Sequence, residues 1–75
     1  MEEIYIRDNF IKLGQALKLS GAAGSGVDAK LLVNDGLVKV NGEVCKQRGK
    51  KLVKDDVINY YGIDYIIVTG NNDVR

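Results

Sequence analysis

The chain has 75 residues, with 45% hydrophobic and 28% charged residues and a formal charge of +1. That length holds one domain with a thin core, since a chain of this size buries only about 60% of the surface it exposes unfolded. With no His, one Cys and no Trp, it offers no Ser-His or Cys-His nucleophile pair and no Cys/His metal cluster.

The N-terminal Glu3-Ile4-Tyr5-Ile6-Arg7 alternates and is rich in β-formers, which predicts a strand. Asp8-Asn9 is expected to end it and to cap the next element. Phe10, Leu13 and Leu17 fall on one stripe of an amphipathic helix that stops at Ser20-Gly21. Gly14 costs that helix up to about 1 kcal/mol relative to Ala, which points to close packing or the close approach of a partner. A small-residue link, Gly21 to Gly24, leads to Ser25, an N-cap with Asp28 three positions on. The second helix is predicted over Gly26 to Asn34, closed by Gly36 in the left-handed region. Val27, Ala29, Leu31, Leu32 and Val33 cover most of its circumference, so burial is expected everywhere except along Gly26, Lys30 and Asn34.

Leu37 to Val40, Asn41-Gly42 and Glu43 to Cys45 make a hairpin signal, because a type I′ turn requires positive φ at both central residues. The basic run Lys46-Gln47-Arg48-Gly49-Lys50-Lys51 comes next. Leu52-Val53, a turn at 54–56, and strands over 57–61 and 64–68 complete an α+β order of β-α-α and four or five short strands. The polar tail at 71–75 is expected to fray, leaving residues 1–70 as the single domain. No apolar run approaches the ~18 residues of a membrane span. The acidic start, Met1-Glu2-Glu3, lacks the pattern of a secretory signal. The expected location is the cytoplasm.

Divided by position, the charge becomes informative. Residues 12–54 carry nine basic side chains against three acidic ones, a net of +6. The remainder carries two basic against seven acidic, a net of −5. Such a bipolar chain can steer a polyanion to one face while its total charge stays near neutral. Tyr5, Tyr60, Tyr61 and Tyr65 all fall in the acidic portions. They are expected to pack as cross-strand pairs, which favours recognition of structured RNA by shape and backbone over stacking of single-stranded bases. Cys45 reads as a small strand residue.

The string from Ala29-Lys30 through Gly36-Leu37-Val38-Lys39-Val40-Asn41-Gly42, with the basic loop and Lys54-Asp55-Asp56-Val57-Ile58 beyond it, resembles the RNA-binding domain named after small-subunit ribosomal protein S-four. The likeness covers about residues 10 to 60. Ile11-Lys12-Leu13-Gly14-Gln15 and Arg48-Gly49-Lys50-Lys51 look most like the small stand-alone bacterial members. In larger relatives the same module accompanies pseudouridine synthases, a tyrosyl-tRNA synthetase and a ribosome-associated heat-shock protein; the enzymes' catalysis lies in other domains, which have no counterpart in these 75 residues. The resemblance implies the S-four-like (alpha-L) fold, with two short helices on a small, mostly antiparallel sheet. It also implies a non-catalytic, cofactor-free, monomeric module that binds structured RNA, ribosomal or transfer RNA, with the ribosome as a partner and no membrane.

The resemblance places the family's basic residue of the first helix at Lys12 and that of the second at Lys30. Ser25 matches the family's Ser, whereas Gly26 stands where many members have Arg, and Asp55-Asp56 replaces Gly-Asp. The expected RNA-binding residues are Lys12, Ser25, Lys30, Lys46, Arg48, Lys50 and Lys51, with the second helix and the 46–51 loop flanking one groove. Arg48 can grip a phosphate with two N–H groups, as Lys cannot. Two other readings compete. A ubiquitin-like sulfur carrier or small protein-interaction module superficially resembles this β-rich chain, but the carrier needs a terminal Gly-Gly and the sequence closes on Asn72-Asp73-Val74-Arg75. An enzyme could use Asp55 and Asp56, yet neither His nor a metal-ligand set accompanies them.

Overall fold

A computed structural model describes residues 1–69. The expected tail at 71–75, and Gly70 before it, lie outside the described residues. In chain order the elements are β1 (Glu2–Ile6), β2 (Ile11–Lys12), α1 (Leu13–Ser20), α2 (Gly26–Asn34), β3 (Val38–Val40), β4 (Glu43–Val44), β5 (Lys51–Leu52), β6 (Val57–Tyr60) and β7 (Ile63–Thr69).

Five strands form one sheet in the order β1-β7-β6-β3-β4, antiparallel except where β1 runs parallel to β7 with Glu2 opposite Tyr65 and Ile6 opposite Thr69. β2 and β5 form a separate antiparallel pair that sets Lys12 opposite Lys51 and Ile11 opposite Leu52. The helices pack on the sheet through one core in which Leu13, Leu17, Leu52, Ile58, Ile67, Val33 and Val38 are fully buried. Each of these side chains contributes about 1.5–3 kcal/mol relative to exposure. The fold is the α+β arrangement expected, two helices on a mostly antiparallel sheet.

Local chemistry explains the boundaries. The Ser25 side chain accepts the Asp28 N–H at 3.2 Å and starts α2 at Gly26. Gly21 and Gly36, at φ 85° and 75°, close the two helices. At α1 the pair of closing bonds runs from the Gly21 N–H to the Lys18 carbonyl and from Ala22 to Leu17; Gly36 to Val33 and Leu37 to Leu32 do the same for α2. Asn41-Gly42 turns the β3–β4 hairpin with φ of 51° and 89°, as a type I′ turn needs. Asp55 adopts φ 76°. It stands where the resemblance noted above leads one to expect Gly, and Asp is among the few side chains that tolerate the left-handed region.

Several expectations are corrected. Phe10 lies outside α1 and is half-exposed, because residues 11 and 12 are extended and pair with β5 before the helix begins. Asp8-Asn9 therefore caps nothing. The N-terminus of α1 is satisfied from a distant segment, with Leu13 N–H donating to the Lys50 carbonyl at 2.9 Å and Gly14 N–H to Arg48 at 3.0 Å. α2 is not buried around most of its circumference, since Val27 is 68% and Leu31 54% exposed, and only Ala29 and Val33 are fully covered. Nor do the tyrosines pair only across strands: Tyr60 and Tyr61 stack on each other at 4.2 Å. Cys45, expected within a strand, instead sits just past β4, half-buried, its N–H on the Val38 carbonyl.

Candidate nucleic-acid interface

The loop between β4 and β5 is held by its own backbone against the start of α1. The Lys50 N–H donates to the Gln47 carbonyl at 3.1 Å, closing a turn around Arg48-Gly49. The two bonds from Leu13 and Gly14 then dock that turn onto the helix. These carbonyls satisfy amides that an α-helix leaves without internal partners. A basic loop is normally a mobile liability; here its strand of backbone completes a helix terminus, so Arg48 is presented from a fixed base.

Gly14 is buried under Arg48. A Cβ on Gly14 would stand 2.6 Å from Arg48 Cγ and 3.1 Å from Cδ, so the aliphatic stem of the arginine crosses the helix where only glycine leaves room. The low helix propensity of this position is thus explained by the approach of a side chain from 34 residues further along.

Between this loop and the two helices lies an open cleft of about 270 Å³, lined by Lys12, Gly14, Gln15 and Lys18 from the α1 side, Gly26 and Ala29 from α2, and Arg48 and Gly49 from the loop. Its three ionisable lining residues are all cationic, and no acidic residue lines it among the described residues. All three are exposed. Gly26 opens α2 and leaves the cleft side of the helix N-terminus unobstructed, for an added Cβ there would meet nothing within 4 Å. The first amides of α2 have no intrahelical acceptor and carry the positive end of the helix dipole. Asp28 in the same turn is an acid, but its own amide is taken by Ser25.

The expected residues divide between the cleft, its surroundings and the far side of the loop. Lys12 and Arg48 line the cleft, and Ser25 caps the helix that forms one wall. Lys30 is exposed one turn beyond Gly26 on the same side of α2, but it does not line the cleft. Lys51 faces Lys12 across the β2–β5 ladder and holds its ammonium 4.7 Å from the centre of the Phe10 ring. Like charges directly opposite on a ladder repel, and an anion beside Lys12 relieves that cost. Lys46 and Lys50 point to the other side of the loop, into a hollow shared with Val40, Glu43, Val44, Cys45 and Gln47. The six-residue basic run is therefore split, with Arg48 toward the helices and Lys46 and Lys50 toward the β3–β4 hairpin.

Sequence reading did not single out Gln15 and Lys18. Their signal was nevertheless present: with Lys12, just ahead of α1, they recur at three-residue spacing, opposite the buried Leu13, Ala16 and Leu17. Gln15 also accepts the Lys12 N–H through its side-chain carbonyl at 3.4 Å. Acidic groups collect elsewhere. Glu2 and Asp64 share a hollow at the β6–β7 turn with Met1, Gly62 and Ile63. Asp56 is spent on structure, its carboxylate accepting the Val53 N–H at 2.8 Å and the Asn41 side-chain amide at 3.1 Å. Among the described residues no group of three or more His, Cys, Asp or Glu could hold a metal ion, and no helix is long and apolar enough to cross a membrane.

Comparison with known proteins bears on this arrangement. Residues 4–68 match the family described as S4 domain. No curated protein matches the chain. Among solved structures, the 30S ribosomal protein S4e from Thermoplasma acidophilum is similar with a TM-score of 0.66 and 25% identity, over 91% of this chain. The chain spans only 36% of that protein's length.

Proposed function

The chain belongs to the S4 domain family, whose members are RNA-binding domains, and from that membership we propose that it is a non-catalytic module that grips the sugar-phosphate backbone of structured RNA in the basic cleft. The observation that carries the reading is the convergence of Lys12, Lys18 and Arg48 on one concave surface, with the open N-terminus of α2 as its far wall. Affinity for RNA comes chiefly from cations that neutralise phosphates and release condensed counterions. In this reading Arg48 takes one phosphate with two N–H groups. The α2 amides at Gly26, held in place by the Ser25 cap, take a neighbouring one.

Lys12 and Lys18 neutralise the strand along α1. Lys30 and Lys51 hold the rim, and Lys46 and Lys50 reach flanking phosphates on the outer side of the loop. In this reading residues 1–70 act as one domain and as a monomer. Ribosomal or transfer RNA is the proposed class of ligand, because a rigid cationic cleft suits a folded backbone better than a flexible strand. The named neighbour, a ribosomal protein, favours a ribosomal setting and a cytoplasmic location.

The test is the salt dependence of binding to a folded RNA such as total transfer RNA. With roughly four to five phosphates neutralised, log affinity should fall with log salt at a slope of about −3 to −5, and Arg48→Ala should reduce the slope by about one. A slope near zero, or one unchanged when Lys12, Lys18 and Arg48 are all replaced by Ala, refutes the proposal.

A further inference from the structure

A second hollow adjoins the basic cleft. It has a volume of about 490 Å³ and shares Gln15 and Lys18 with the cleft, so the outer face of α1 is the ridge between them. Its other walls include Tyr5 and Arg7 at the end of β1, Phe10 before β2, and Leu19 late in α1. Tyr5 is 62%, Phe10 39% and Leu19 65% exposed. Single exposed apolar side chains are ordinary on small proteins. Three of them from three segments converging on one concavity beside a cationic cleft are not.

We infer that this hollow receives one unpaired base of the RNA whose backbone occupies the basic cleft. The inference rests on the RNA-binding reading above and adds to it the class of RNA, a helix interrupted by a bulged or flipped-out nucleotide. A paired backbone presents phosphates and sugars, which leave Tyr5, Phe10 and Leu19 facing water. An unpaired base presents flat apolar faces with a polar edge, and stacks on aromatic and aliphatic surface. The volume lies within the ~300–1,000 Å³ of ordinary ligand pockets.

The polar groups are placed for the same occupant. Gln15 carries both a donor and an acceptor for a base edge. Lys18 and Arg7 supply cations for the phosphates on either side of the base, against one acid, Asp8. The Lys51 ammonium rests 4.7 Å from the centre of Phe10, tying that ring to the Lys12–Lys51 ladder at the edge of the basic cleft. The Tyr5 hydroxyl donates to Glu3 at 3.0 Å, which anchors the ring while most of its surface stays open.

The experiment compares two RNA hairpins of the same stem, one fully paired and one with a single bulged 2-aminopurine. Wild-type protein should bind the bulged hairpin about tenfold more tightly, since stacking of one base is worth roughly 1–3 kcal/mol. The 2-aminopurine emission should change on binding. The Tyr5→Ala/Leu19→Ala variant alters only exposed side chains; it should melt like wild type, keep its affinity for the paired hairpin and lose both the preference and the emission change. Arg48→Ala should weaken both hairpins. Equal, salt-dependent binding of the two hairpins by wild type, or an undiminished preference in the double variant, overturns the base pocket and leaves the backbone-binding reading standing. Failure to bind either hairpin overturns both.

Discussion

Replacing Gly14 by Ala isolates the geometric idea behind the cleft. The new methyl carbon would lie 2.6 Å from Arg48 Cγ, so the arginine stem must retreat by roughly 1 Å to regain ordinary van der Waals distance. The loop backbone cannot supply that shift cheaply. The Arg48 carbonyl is held by the Gly14 N–H at 3.0 Å, and the Lys50 carbonyl by Leu13 at 2.9 Å, bonds worth about 1 kcal/mol each. Arg48 instead changes rotamer, and its guanidinium leaves the cleft.

The stability cost is small, because relief of the glycine penalty, at most about 1 kcal/mol, offsets the adjustment. Binding loses a charge-assisted contact worth about 1.5–3 kcal/mol, or roughly 10- to 150-fold in affinity. Fluorescence anisotropy with labelled transfer RNA measures the loss, and thermal melting within a few degrees of wild type shows that the fold survives. A double-mutant cycle makes the reasoning vulnerable: once Arg48 is Ala, adding Gly14→Ala should cost nothing further. If Gly14→Ala binds like wild type, or if the two substitutions add in full, Gly14 does not position Arg48.

Two further predictions concern the frame and a titration. Asn41 combines φ 51° with three bonds: its N–H to the Val57 carbonyl at 2.8 Å, its side-chain carbonyl accepting Val57 N–H at 3.0 Å, and its amide donating to Asp56 at 3.1 Å. Asn41→Ala should lower stability by about 2–3 kcal/mol in urea unfolding while the folded fraction keeps its RNA affinity. The Tyr5 hydroxyl titrates above its ordinary value of 10.0, first because it donates to the Glu3 carboxylate and next because that negative charge disfavours a phenolate beside it. Glu3→Gln removes the charge, so the Tyr5 midpoint, followed by ring NMR signals, should move down; an unmoved midpoint contradicts the pairing.

Much of the architecture was written locally. The bounds of α2 follow from Ser25 and Gly36, and the β3–β4 hairpin from Asn41-Gly42, because caps and type I′ turns depend on the φ preferences and side-chain bonds of a few adjacent residues. The division of charge into a basic middle and acidic ends was likewise visible in one dimension. The start of α1 was not. Phe10 fits the helical stripe with Leu13 and Leu17, but residues 11 and 12 are extended because β5, 40 residues away, pairs with them.

The exposure of α2 was equally illegible. Periodicity says which side chains are apolar, whereas the number of faces covered depends on how many neighbours exist, and in so small a domain α1 and the sheet cover only the Ala29–Val33 side. The basic run shows the same limit, for six consecutive residues have no intrinsic direction. Hydrogen bonds from Leu13 and Gly14 to the carbonyls of Lys50 and Arg48 turn Arg48 toward the helices and leave Lys46 and Lys50 on the far side. Local backbone preference thus set the bounds of α2 and the β3–β4 hairpin, whereas long-range pairing set the start of α1 and decided which cations share a surface.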